Sequence, residues 1–204
     1  NYIYFVILEL IFKFFVIKVI DLGILYIFIF ALPLALIFTS ITHLFSKRKI
    51  NQIISIFLWF VSFLVMGAET VYYSFYKTIC GFSAIMYSEQ VMDFYNSIIM
   101  HILLNKWSII GMFIPFCILF FLSVTKRIKH EKYWERESLV LFFAMVFFAM
   151  SSLEYKAKEE DAAKYLFYTT NDLMQSTTTF GVFPSVILDT IKLGMRFEEE
   201  FVLE

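Results

Sequence analysis

Residues 53–73 read IISIFLWFVSFLVMGAETVYY, a run of twenty-one positions that carries one charge, Glu69. Roughly 20 predominantly apolar residues suffice for a helix to cross a bilayer. Lipid offers no partner to a bare backbone N–H or C=O, so such a run has to be helical. Before it stands the basic loop Ser46-Lys47-Arg48-Lys49, and after it comes a more polar stretch, residues 74–106. The same alternation repeats along the chain. Five spans are expected, near residues 2–20, 24–44, 53–73, 107–124 and 138–153. Asp21-Leu22-Gly23 is read as a tight reversal and Pro33 as a kink in the second span. The composition agrees: 60% hydrophobic and 17% charged, with a mean hydropathy of +0.76. Soluble domains sit near about 45–50% apolar and about 25% charged. The expected fold is all-α, a polytopic membrane protein with about five transmembrane helices, an outer interfacial helix and a C-terminal linker helix.

Charge placement suggests an orientation. Lys47-Arg48-Lys49 and the group Lys126, Arg127, Lys129, Lys132 and Arg136 fall on the same side of a five-span arrangement, and basic loops favour the cytoplasm. The N-terminus is then inside and the chain after Leu153 outside. Aromatic residues, which prefer the headgroup level, mark the boundaries: Tyr72, Tyr73 and Tyr76 at the end of the third span, Trp107 at the start of the fourth, Tyr133 and Trp134 before the fifth. Between them, Met86, Val91, Phe94, Ile98 and Ile99 recur at helical spacing among Glu89, Asp93 and Asn96, the pattern of an amphipathic helix in the outer interface. The tail from Glu154 is expected to leave the membrane. Thr169 to Asp172 read as a helix cap, Gly181 and Pro184 as punctuation, and Ser185–Met195 as a helix. The chain begins at Asn1 rather than Met, so a preceding segment is expected, and its acidic end reads as the start of a linker to a further domain.

The net charge of −1 gives no sign of a nucleic-acid partner. Nucleotide-binding, serine-hydrolase and zinc-protease motifs are missing from the sequence. His43, His101 and His130 are scattered near membrane edges, which favours interfacial roles over a metal site. Cys80 and Cys117 are too few for a disulfide scaffold, and Cys117 reads as a packed core thiol. Ionisable groups inside spans are the better candidates. Glu9 and Lys13, four apart, share a helix face and can form an intramembrane ion pair, while Lys18 can snorkel outward. Glu69, near the outer end of its span, can bind a cationic headgroup, cap a polar network or pair with Lys106.

Two stretches carry a resemblance. Glu69-Thr70-Val71-Tyr72-Tyr73-Ser74-Phe75-Tyr76 is similar to the aromatic end of the third span in lipoteichoic acid synthase-like proteins, membrane phosphoglycerol transferases of the sulfatase/alkaline phosphatase superfamily. Phe180-Gly181-Val182-Phe183-Pro184-Ser185-Val186-Ile187-Leu188-Asp189-Thr190-Ile191-Lys192 resembles the turn into their linker helix. The lysine-containing first span also fits. The resemblance implies five spans in a bacterial cytoplasmic membrane, followed by an extracytoplasmic catalytic domain. That domain would hold a nucleophilic threonine and a divalent metal, Mn or Mg, with an anionic phospholipid such as phosphatidylglycerol as partner. On this basis the chain itself contains no catalytic residue, metal ligand or cofactor site, and Thr177, Thr178 and Thr179 are not nucleophiles. Glu69, Tyr72, Tyr73, Tyr76, Lys106 and Trp107 are candidates for headgroup contact. Phosphoethanolamine transferases share the layout, so the headgroup stays open, as does the oligomeric state. The competing expectation is a stand-alone small membrane protein acting in partner binding or transport. No internal repeat supports a transporter.

Overall fold

A computed structural model describes residues 1–19, 23–43, 45, 47–81, 95–125, 127–128, 135–154, 162–168 and 172–202. Among them every regular element is a helix. In order these are α1 Tyr2–Ile11, continued by a π turn over Phe12–Ile17, then α2 Gly23–Thr42, α3 Arg48–Tyr76, α4 Tyr95–Leu104, α5 Lys106–Val124, α6 Glu135–Glu154, α7 Ala162–Tyr168, α8 Leu173–Phe180 and α9 Val182–Val202. Three of them, α2, α3 and α5, are long and apolar enough to cross a membrane. The described apolar part of α6, Leu141–Leu153, is shorter.

The first helical stretch is largely enclosed by the bundle, with Ile3 and Phe15 left exposed. Tyr4, Phe5, Leu8, Phe12, Val16 and Ile17 are all buried, and α1 with its π turn forms the axis around which α2, α3 and α5 pack. The outside of the bundle is as apolar as its interior: Phe57, Leu64, Ile114, Phe121 and Phe147 all stand exposed. A soluble monomer rarely leaves so much continuous apolar surface in water, whereas lipid is a good solvent for it. Cys117 belongs to this outer surface rather than to the core, because the buried face of α5 is the one bearing Ser108, Met112 and Pro115.

Since lipid is as apolar as a leucine side chain, hydrophobic burial does little to hold such helices together; close packing and interhelical hydrogen bonds do. The α3 face towards α1 accordingly carries small and polar side chains. Ser55, Ser62 and Thr70 return their hydroxyls to the carbonyls of Asn51, Leu58 and Met66 at 2.8 Å. Tyr4 donates its hydroxyl to the Trp59 carbonyl at 2.6 Å, and Trp59 donates its indole N–H to Asn1 at 2.8 Å. Asn1 in turn donates to the Thr39 hydroxyl on α2 at 2.8 Å, tying the start of α1 and the Trp59 turn of α3 to the last turns of α2.

Helix α3 starts at Arg48, five residues before the apolar run, and ends at Tyr76. Polar residues extend it because Asn51 folds back on the preceding turn. Its amide accepts from the Phe45 N–H at 3.0 Å and donates to the Phe45 carbonyl at 2.7 Å. The basic group Lys47-Arg48-Lys49 is thus the cap and first turn of a helix rather than a free loop. Pro33 lies inside an unbroken α2. The reversal at Asp21-Leu22 and most of the expected interfacial helix, with Met86, Val91 and Phe94, lie outside the described residues. The remainder of that expectation forms α4.

The tail does not simply leave. Asp172 caps α8, its carboxylate accepting from the N–H groups of Met174 and Gln175 at 2.9 and 3.2 Å; Thr169 to Asn171 lie outside the described residues. Helix α8 runs back into the bundle, the chain turns at Gly181, and α9 runs out again. Phe180 packs on Phe30 and Tyr26 of α2, with ring centroids 4.9 and 5.9 Å apart. Phe183 meets Phe5 at 5.4 Å, and Phe5 meets Phe38 at 4.5 Å. Helix α9 begins at Val182 rather than Ser185. Pro184 falls in its first turn, where the missing N–H is no loss.

Candidate functional site

The most unusual chemistry is at this turn. Gly181 has φ +97 and ψ 170, a backbone conformation essentially reserved for glycine. The non-helical link between α8 and α9 is buried, and Val182 is wholly inaccessible. Irregular backbone at such depth survives only if protein satisfies its polar groups. Here the first turn of α9 is fully accounted for. Glu9 accepts from the Val182 N–H at 2.7 Å and from the Phe183 N–H at 2.9 Å. Pro184 has no N–H, and Ser185 donates to the Gly181 carbonyl at 3.3 Å. On the α8 side, Gly181 donates to the Thr177 carbonyl at 3.0 Å, and Lys13 donates to the Thr178 carbonyl.

The polarities match the helix ends. The N-terminus of a helix is partially positive and its C-terminus partially negative. Glu9 sits at the N-terminus of α9 and Lys13 at the C-terminus of α8. The two residues do share a face of the first helix, as their spacing requires, and both reach the tail. Glu9 is 3% exposed and Lys13 is 1% exposed, so neither charge is solvated by bulk water. Around them, the hydroxyls of Thr177 and Ser185 are buried without a hydrogen-bond partner among the described residues. Thr178 and Thr179 return theirs to the Gln175 carbonyl.

Glu69 is the second buried carboxylate, 6% exposed and within electrostatic reach of Glu9. It lies two turns inside the end of α3, deeper than the apolar run alone implied, because the helix continues to Tyr76. It does cap a polar group: the Cys80 N–H donates to it at 3.0 Å, pinning the turn after α3. Burial and the Glu69 charge push the Cys80 thiol up to about 11. Beside it, Gly81 lies against α9. A Cβ there would stand 2.9 Å from the Asp189 carboxylate and 3.1 Å from Leu173.

The other candidates, Tyr73 apart, form a rim rather than one pocket. Tyr72 and Tyr76 meet as tilted rings with centroids 4.7 Å apart, and Phe75 links Tyr76 to His101, which hydrogen-bonds the Ser74 hydroxyl at 2.8 Å. Tyr73 turns inward to Phe12 and carries the Lys77 ammonium 5.5 Å from its ring. Lys106 lies 5.7 Å from the ring of Trp107, which is 75% exposed. Glu69 and Lys106 do not pair; the carboxylate is turned to the Cys80 backbone and the lysine to Trp107. No group of three His, Cys, Asp or Glu side chains among the described residues could hold a metal ion.

What sequence reasoning missed is the partner of Glu9 and Lys13. The carboxylate meets backbone N–H groups 173 residues away, and backbone groups leave no residue-type signature. The one available signal was Gly181 followed by Pro184, a helix start that needs an outside acceptor.

Residues 1–195 match the family described as the lipoteichoic acid synthase N-terminal domain, almost the whole of the 204 residues. Comparison with curated proteins and with solved structures returned no match.

Proposed function

The chain belongs to the lipoteichoic acid synthase N-terminal domain family, and from that premise we propose that it is the membrane anchor of a phosphoglycerol or related headgroup transferase. The single observation behind this reading is the family match over residues 1–195. In this reading residues 1–153 form the membrane domain and residues 154–204 lead to a catalytic domain beyond them. The membrane is the bacterial cytoplasmic membrane, with the N-terminus inside and the chain after residue 153 outside. The nucleophilic threonine and the divalent metal, Mn or Mg, belong to that further domain, where the metal supports phosphoryl-type transfer by neutralising developing charge. The residues described here anchor, orient and present lipid.

The rim supports the last of these roles. Tyr72, Tyr76 and Trp107 have amphipathic rings suited to the headgroup level. Lys77 and Lys106 supply positive charge for an anionic phospholipid such as phosphatidylglycerol. Alanine at Tyr76 or Trp107 in the full-length protein is expected to slow headgroup transfer several-fold with expression unchanged; normal transfer removes the rim from the mechanism. The reading as a whole is tested on the polypeptide extracted from native membranes. A mass well above 24.2 kDa with metal-dependent transfer of glycerol phosphate supports it. A mass near that value without transfer overturns it in favour of a stand-alone membrane protein.

A further inference from the structure

We infer that α8 and α9 form a re-entrant helical hairpin within the bundle, and that Glu9 and Lys13 are the positioning residues that lock it there and fix the direction in which α9 leaves.

Three observations carry this. The first is depth. Phe183 packs with the cluster of Phe5, Leu34, Ala35 and Phe38, and Leu34 to Phe38 lie past the middle of α2, a helix long enough to span. The tip of the hairpin therefore sits at the level of the membrane interior, not at its surface. The second is the complete satisfaction of the α9 first turn, in which Glu9 takes the only two N–H groups without an internal acceptor. The third is attachment at two heights. Helix α9 is held at Val182 and Phe183 by Glu9, and two turns later Asp189 lies against Gly81 in the turn pinned by Glu69. One point of attachment is a pivot; two fix an axis. The chain that follows α9 thus starts from a set direction instead of a loose tether. That the chain so directed carries the transferase domain rests on the proposed function; the hairpin and its lock do not.

The charge pattern makes the lock separable from a simple ion pair along α1. Exchanging the two residues, Glu9→Lys with Lys13→Glu, preserves an ion pair at this spacing. It also sets a cation against the N–H groups of α9 and an anion against the α8 carbonyl. The experiment uses the full-length protein in nanodiscs, with Cys80 and Cys117 replaced by serine and spin labels at Leu64→Cys and Ile191→Cys, both exposed positions. Electron–electron distance measurements are expected to give one narrow distribution in the parent. It should widen moderately in Glu9→Gln, which keeps one accepting oxygen, and strongly in the exchanged pair. A second label pair at Ile37→Cys and Phe57→Cys reports whether α2 and α3 stay assembled, so general unfolding is recognised. A narrow, unshifted distance in the exchanged pair overturns the lock, as does a broad distribution in the parent. Headgroup transfer by the same samples is read separately. Widening without loss of transfer retains the lock and removes its link to the transferase; absence of transfer in the parent fails the proposed function alone.

Discussion

At the scale of the residue, Gly181 is the position least able to change. Its φ of +97 with extended ψ is strained for any residue with a Cβ, and that Cβ would stand 2.7 Å from the Glu9 carboxylate. Alanine there is expected to cost about 1–3 kcal/mol in backbone strain alone. It would also push Glu9 off the N–H groups it serves. The check is thermal unfolding in detergent alongside proteolysis of residues 172–192: Gly181→Ala should lower the midpoint and expose that segment first. Equal stability and equal protection would mean the turn is not built as described. In the sequence Glu9 stands out because a carboxylate inside an apolar run demands a partner. That demand was legible, and the spacing to Lys13 offered the nearest answer. The backbone partners were not legible, since an N–H at a helix start looks the same in every sequence.

At the scale of the element, the apolar runs located the helices well and their ends less well. Lipid and backbone chemistry together force a run such as residues 53–73 to be helical. Whether flanking polar residues continue the helix depends on local side-chain bonds, and Asn51 shows how. Its amide makes both hydrogen bonds to Phe45, so Arg48 to Gln52 enter α3 although nothing in their hydropathy asks for it. Asn51→Ala is expected to cost about 1 kcal/mol and to speed hydrogen exchange at the Phe45 amide, leaving the centre of α3 protected. Unchanged exchange at Phe45 would show that the turn holds itself. Helix α9 teaches the opposite lesson. Its first turn reads as punctuation because of Gly181 and Pro184, yet the helix begins between them, with an outside carboxylate as its cap.

At the scale of the whole molecule, the unsettled crossing is α6. The described apolar stretch of thirteen residues, Leu141–Leu153, rises only about 20 Å at 1.5 Å per residue, against about 30 Å of hydrocarbon. Single cysteines at Thr125 and Tyr165, in a background without Cys80 and Cys117, flank it. If α6 crosses, a membrane-impermeant maleimide added to intact cells labels the cysteine at 165 and spares the one at 125. Equal labelling from outside would put both on one side and end the five-span arrangement. The bundle was legible as a class because composition alone sets lipid as its solvent. The inward return of α8 was not, because it rests on pairings of Glu9 and Lys13 with backbone groups more than 160 residues away. Those pairings also impose an order on biogenesis. Glu9 and Lys13 are made well before their partners, Glu9 173 positions before Val182. At about 5–20 residues per second of synthesis, the nascent first helix waits roughly ten to thirty seconds for the backbone groups that Glu9 and Lys13 serve. A chain arrested before Leu173 never makes these bonds, and it offers membrane quality control a way to recognise a bundle whose hairpin is missing.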